Sequence, residues 1–133
     1  MPTFASLLAD YLNAPQGLGL TAVLFFAMAI GHAVADYPLQ GQYLARTKDP
    51  KGRNESLGEG KNDWILSLNA HCLIHGGMVW LITGVVWYGL VEWLLHLIVD
   101  YLKIRELTSL AGDQLLHFAC KLVYAVVIGY ALI

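Results

Sequence analysis

Charged side chains are scarce in this sequence. They make up only 14% of its 133 residues, whereas hydrophobic residues make up 57%. A soluble domain typically has about 25% charged residues, so the shortage indicates a membrane protein. The net charge of −2 provides no basic surface of the kind that binds nucleic acid.

Cysteine is nearly absent too, and so is a basic amino-terminal segment. Cys72 and Cys120 lie in apolar surroundings and do not form a CxxC pair, so no disulfide framework is expected. Residues 1–16 contain no Lys or Arg and no long apolar run, and we therefore expect no cleavable signal peptide. The length of the chain fits a single membrane domain over 1–133.

Long apolar segments predict the fold class, which is an all-α integral membrane protein. A spanning helix needs about 20 mostly apolar residues. Four segments meet this need and predict a four-transmembrane-helix antiparallel bundle. A short amphipathic helix at about 4–13 is expected to lie in the membrane interface. The predicted spans are Leu18–Asp36, 65–85, 86–103 and 110–133, and a polar loop occupies 37–64.

The positive residues between the spans predict the orientation. Lys and Arg are enriched in cytoplasmic loops, so the polar loop and the turn at 104–109 should both be cytoplasmic. Both termini should then lie outside. The basic residues concerned are Arg46, Lys48, Lys51, Arg53 and Lys61 in the loop, and Lys103 and Arg105 at the turn.

One spacing recurs in all four predicted spans, where two polar residues lie four positions apart. Positions i and i+4 share a helix face, which is how one helix offers two ligands to a metal. In the predicted orientation every pair falls in the cytoplasmic half of the bilayer, and ionisable residues there usually mark a functional site. The pairs are His32 with Asp36, His71 with His75, His96 with Asp100, and Asp113 with His117.

These eight residues are the candidate metal ligands. Five imidazoles and three carboxylates exceed what one tetrahedral ion needs, so one or two ions are expected. Mixed His/Asp ligation suits Zn, Mn, Fe or Ni. Glu92, one turn before His96, either supports a ligand or lies near the outer interface. Gln40 and Gln114 are expected to bond to ligands, substrate or helix ends.

Four motifs taken together resemble a known family. GHAVADYPLQ, HCLIH, HLIVDYLK and DQLLHF, in this order, resemble small bacterial and phage membrane proteins catalogued as domain of unknown function 3307. The resemblance extends over residues 25–125 or so. His75 adds a second histidine, on the second span, to the polar positions that match the family. It implies the membrane architecture, a bacterial inner-membrane location and the polar positions, but no reaction. A looser analogy, based on ligand types alone, is to membrane-bound metal-dependent hydrolases.

The leading functional hypothesis is a metal-dependent hydrolase acting on a lipid-linked or phosphoester substrate. Two ions would polarise a phosphoryl or acyl oxygen and activate water, with Asp36 or Asp113 as general base. The basic loop would attract an anionic headgroup.

Other interpretations remain open at this point. They are a metal-ion or proton transporter or sensor, a haem protein, and a structural protein stapled by metal or polar groups. A transporter would need a polar path to both sides.

Ala27, Gly31 and Ala35 form a ridge of small residues, which favours packing within the chain, with a homo-oligomer as the alternative.

Overall fold

The chain folds into helices. The structure is a computed structural model that describes residues 2–3, 5–6, 17–52 and 59–130. No strand occurs in these ranges, so the all-α prediction is confirmed. The predicted interfacial helix at 4–13 lies almost entirely outside the described residues. The α-helices are α1 (Leu18–Val34), α2 (Gly41–Thr47), α3 (Asp63–Thr83), α4 (Val86–Ile104) and α5 (Leu110–Gly129), with a π-helical turn at Ala35–Leu39 and a 3-10 turn at Pro50–Gly52.

The long helices pack in antiparallel pairs. α3 and α4 form a hairpin through Gly84, whose φ of 71° suits glycine. α1 packs against α5, and the N–H of Gly17 donates to the carbonyl of Gly129 at 2.7 Å. α1 also contacts α3, and α4 contacts α5. We call the end with residues 35–52 and 104–109 the loop end, and the end with Gly17 and Gly84 the far end.

Within the described part of the chain, three helical segments are long and apolar enough to cross a membrane, namely Leu18–Asp36, Asp63–Thr83 and Leu110–Gly129. The prediction of a fourth span, at 86–103, is wrong by this measure. α4 has 19 residues, but they include Glu92, Asp100 and Lys103. Glu92 and Asp100 are only 1% and 4% exposed. The composition of α4 therefore reflects the interior of the protein more than contact with lipid.

The outer surface is apolar and carries two groups of aromatic residues. Trp64 stacks on Tyr101 at the loop end, with ring centroids 6.5 Å apart. Trp80 and Trp87 are exposed toward the far end. Trp64 and Trp80 are sixteen residues apart on α3, and a helix rises about 24 Å over that length. Aromatic belts at two levels are typical of a membrane protein with its apolar surface in lipid.

The hydrophobic core occupies the far half of the molecule. Its side chains come from α1, α3 and α5, and Ala5 from the amino-terminal segment joins them. Leu24 and Ala125 have no exposed surface at all. The buried members are Ala5, Leu20, Leu24, Met28, Val79, Tyr124 and Ala125. The half nearer the loop end contains the polar groups described below.

Two glycines allow the backbones of α3 and α4 to touch. A Cβ atom on Gly76 would lie 2.6 Å from the carbonyl oxygen of Gly89, whereas one on Gly77 would meet nothing within 4 Å. Gly76→Leu should lower the free energy of unfolding by about 1–3 kcal/mol, because the helices must separate. Gly77→Leu is the matched control and should not lower it, because leucine favours the helix more than glycine and a Cβ atom there meets no neighbour. Unfolding in detergent measures both, and equal losses would contradict this account of the hairpin.

The connection between α1 and α3 forms side-chain contacts with α3 and with the α4–α5 turn. The Thr47 hydroxyl donates to Ser67 Oγ at 2.8 Å in the interior. Lys51 forms an ion pair with Glu106 in the α4–α5 turn and lowers the pKa of that carboxyl, so the pair is charged at neutral pH. These contacts hold the intervening Lys48 against the polar interior.

Candidate metal centre

The end of α1 has an unusual shape that positions Asp36. The π-helical turn Ala35–Leu39 contains Pro38, whose ring would clash with the carbonyl four residues earlier in a regular α-helix. A wider turn relieves that clash, and π turns are frequent at functional sites. Asp36 lies in this turn. Its Oδ2 is 3.2 Å from His32 Nε2, and its Oδ1 is 3.1 Å from His75 Nε2.

One group of potential ligands combines Asp36 with His71, His75 and His96. The Nε2 atom of His71 lies 3.6 Å from Asp36 Oδ1 and 3.3 Å from His96 Nε2. Ligand atoms at 2.0–2.1 Å from a tetrahedral zinc ion are about 3.4 Å apart. The spacing of these atoms therefore fits the edges of such a site, and three imidazoles with one carboxylate fit its chemistry.

A second group combines Asp100, Asp113 and His117. Ser109 caps α5 by accepting from the N–H of Gly112 at 3.1 Å, which starts the helix one turn before Asp113. His117 Nε2 lies 3.2 Å from Asp100 Oδ1 and 3.5 Å from Asp113 Oδ1. Asp113 Oδ1 is buried, and among the described residues it has no hydrogen-bond partner. A buried carboxylate oxygen without a donor is costly, and a cation beside it would remove that cost.

The two groups adjoin each other. Asp100 Oδ2 lies 3.4 Å from His71 Nε2, and the rings of His96 and His117 stack with centroids 3.9 Å apart. The Asp100 carboxylate therefore contacts both groups. The set of residues therefore fits either one ion or a pair of neighbouring ions.

Glu92 contacts the centre from its far side. His96 Nδ1 donates to Glu92 Oε1 at 3.2 Å, which leaves the lone pair of His96 Nε2 directed at the first group. Lys121 donates to the same Glu92 oxygen at 2.8 Å, and both side chains are 1% exposed. Glu92 and His117 with His96 also form a third possible ligand group, but the lysine already neutralises the carboxylate. Supporting a ligand histidine is the role that this geometry favours.

The remaining predicted residues surround the ligands. His32 lies outside the three ligand groups found among the described residues, and its Nε2 contacts Asp36 and the side-chain oxygen of Gln114 at 3.2 Å. The amide nitrogen of Gln114 donates to Asp113 Oδ2 at 3.2 Å. Gln40 has a buried side-chain oxygen without a hydrogen bond in the described part of the chain. The other seven predicted ligands belong to the ligand groups, so the structure brings them together as one cluster.

Comparison with known proteins identifies the family. A family model described as "Protein of unknown function (DUF3307)" matches residues 24–132. The chain belongs to this family. No curated protein and no solved structure matches the chain. The family match carries no activity, so the looser analogy with metal-dependent hydrolases gains no support from the comparisons.

Three lysines complete the site of this DUF3307 member, and the ligand prediction omitted them. Lys48 Nζ lies 3.1 Å from Asp100 Oδ2 and 3.0 Å from His71 Nε2. Lys103 Nζ lies 3.2 Å from Asp113 Oδ2. Lys121 lies one turn beyond His117, so the four-residue spacing was a signal that pointed to it. Lys48 had no such signal, because a loop residue reaches the site only through the path of the chain.

A cavity of about 330 Å³ leads from the cluster to the loop end. Three carboxylates of the cluster face it, so the site is open on this side. The opposite side is closed by the Glu92–Lys121 pair and then by the hydrophobic core. The cavity is lined by Asp36, Tyr37, Gln40, Ala45, Lys48, Asp100, Lys103, Leu110, Asp113 and Gln114.

Proposed function

We propose that this protein is a membrane-embedded, metal-dependent hydrolase that acts on a lipid-linked or phosphoester substrate. The observation that carries the proposal is a buried cluster of carboxylates and imidazoles, drawn from several helices, beside an open cavity. A closed structural site would need no cavity. A catalytic site needs one coordination position that substrate can reach.

The residues divide into three roles. Asp36, His71, His75 and His96 would hold one ion, and Asp100, Asp113 and His117 would hold a second or share the first. A bound divalent ion would act as a Lewis acid toward a phosphoryl or acyl oxygen. One carboxylate would serve as general base instead of as a ligand, and Asp113, with one oxygen free of hydrogen bonds, is the better candidate. Asp36 is the other, although three histidines surround its carboxylate.

The proposed location is the cytoplasmic side of a bacterial inner membrane. The apolar outer surface and three segments able to span a membrane support a lipid environment. The basic residues of the loop end support a cytoplasmic orientation of the cavity. Gly17 and Gly129 meet at the far end, so both described ends of the chain would face outward. A substrate would enter at headgroup level.

Three alternatives have less support. A metal-ion or proton transporter needs a polar path to both sides, and the hydrophobic core fills the far half of the described residues. A structural metal staple would be closed to solvent, whereas this cluster faces a cavity. A haem site would use two facing histidines and leave the carboxylates unexplained.

The first test is metal analysis of protein purified in detergent without chelator. The wild type should contain one or two equivalents of Zn, Mn, Fe or Ni. The double variant His71→Ala, His75→Ala should lose at least one equivalent, because it removes half of the first ligand group. Glu106→Gln removes a carboxylate that is 77% exposed and lies outside the cluster, so this control should keep its metal.

The second stage measures hydrolysis. Metal-loaded protein should release phosphate from phosphatidic acid or from a soluble phosphomonoester, or cleave an acyl ester, and Asp113→Asn should reduce that rate by about 100-fold or more. A wild type without metal after all four ions were offered would overturn the proposal. Bound metal without any hydrolysis in this panel would favour the structural staple.

A further inference from the structure

Two lysines stand beside the carboxylates at the inner end of the cavity. Lys48 comes from the connection after α2 and is 17% exposed, and Lys103 comes from the end of α4 and is 35% exposed. Both line the cavity, and each ammonium group bonds to a carboxylate of the second ligand group. They approach the cluster from two different elements and face the same space.

The balance of charge in the cavity depends on metal. Without an ion, the three carboxylates of Asp36, Asp100 and Asp113 outnumber the two ammonium groups by one, so the charged side chains that line the cavity are negative in sum. The Glu92–Lys121 pair is neutral and lies on the other side. One divalent cation among the carboxylates reverses the sign. The lysines would then be partly released from Asp100 and Asp113, and their N–H groups would face the cavity.

We propose that Lys48 and Lys103 form an anion site for the phosphoryl group of the ligand, and that a bound divalent cation activates this site. The inference rests on the proposed function and names the part of the substrate that the cavity recognises. A phosphoryl group has several charged oxygens, which allows it to contact the metal and both ammonium groups at once. A carboxylate has only two oxygens and would satisfy fewer of these donors.

The rim of the cavity indicates what is attached to that group. Tyr37 is 80% exposed and Leu110 is 66% exposed, and both line the opening. An apolar rim at this level suits acyl chains that remain in the lipid while the headgroup enters. The cavity would recognise the phosphoryl group whether a lipid or a soluble molecule carries it.

The test measures binding and requires no turnover. Protein loaded with one equivalent of Zn(II), and the same protein after chelation, are titrated calorimetrically with inorganic phosphate. A second arm uses a lipid phosphonate in mixed micelles, whose carbon–phosphorus bond resists hydrolysis. Zinc loading should raise phosphate affinity at least tenfold. Tighter binding of the phosphonate would identify a lipid source, and tighter binding of phosphate a soluble one.

Variants assign the effect to the two lysines. Lys48→Gln and Lys103→Gln should each weaken phosphate binding by about 10- to 100-fold, because each removes a charged donor. Lys103→Arg should restore most of the loss. The matched control is Lys61→Gln, which removes an exposed lysine before α3 and should leave the affinity unchanged.

The outcomes separate this inference from the proposed function. A zinc content that is normal in both glutamine variants, together with weakened phosphate binding, supports the anion site. Normal zinc with unchanged phosphate binding would overturn the anion site and leave the metal centre intact. Phosphate binding of equal strength with and without zinc would overturn the coupling to metal. A wild type that takes up no divalent metal would overturn both proposals.

Discussion

Replacing Lys121 with methionine is expected to lower the free energy of unfolding by about 3–5 kcal/mol. Its ammonium group bonds to Glu92 at 2.8 Å, and both side chains are 1% exposed. Removing one member of a buried ion pair leaves the other charge without compensation. The carboxylate would have to remain charged in the interior with His96 Nδ1 as its remaining donor, or take up a proton, and either course destabilises the fold. Denaturant-induced unfolding in detergent, followed by circular dichroism, measures the loss.

Two further variants separate the buried charge from lost packing. The double variant Glu92→Gln, Lys121→Met removes both charges and should recover much of the stability. Lys51→Met breaks the pair with Glu106, in which the lysine is 63% exposed, and should cost less than about 1 kcal/mol. If the double variant were no more stable than Lys121→Met alone, lost packing would be the cause and not the unpaired charge.

Zinc at a thousand times its dissociation constant is expected to add about 4 kcal/mol to the free energy of unfolding. An ion that binds only the folded protein stabilises it in proportion to the logarithm of its concentration. The proposed ligands come from three α-helices and the π turn, so they are brought together only in the folded chain. The measurement is the shift in unfolding midpoint between chelated and zinc-loaded protein.

The gain in free energy of unfolding on zinc binding should depend on which residue of the cluster is replaced. His96→Ala should remove most of it, because His96 belongs to the first ligand group and its ring stacks on His117 of the second. His32→Ala should keep part of it, since His32 contacts Asp36 and lies outside those groups. Comparing each variant with and without zinc cancels any change in its own baseline stability. An increment that survived His96→Ala undiminished would contradict the proposed ligands.

The pairing of polar residues along each helix was the most informative signal in the sequence. A spacing of four residues places both members of a pair on one helix face, and the packing of the helices then brings seven predicted ligands together. The two interpretations of Glu92 could not be separated by that rule. Its partner Lys121 is 29 positions away, and such a contact is known only when α4 and α5 are packed together.

The errors have a common physical origin. The predicted span at 86–103 was identified by apolar content, but Glu92, Asp100 and Lys103 give α4 a charged inner face. Lys48 was counted only among the basic residues of the loop, as a marker of membrane orientation and as part of the attraction for an anionic headgroup. It contacts His71 and Asp100 because the π turn and α2 lead the chain back across the site, and no local pattern encodes that path.

The π turn at Ala35–Leu39 makes the site sensitive to chain length as well as to chemistry. Such a turn holds one residue more than the α-helical turn it replaces. Deleting one residue there, other than Asp36, would rotate α2 by about 100° and shift it by about 1.5 Å along the helix axis. α2 would leave its present direction, and Lys48 would leave with it, while every ligand histidine stayed in place. The length of this turn therefore sets the position of Lys48, so anion recognition depends on the backbone as well as on the ammonium group.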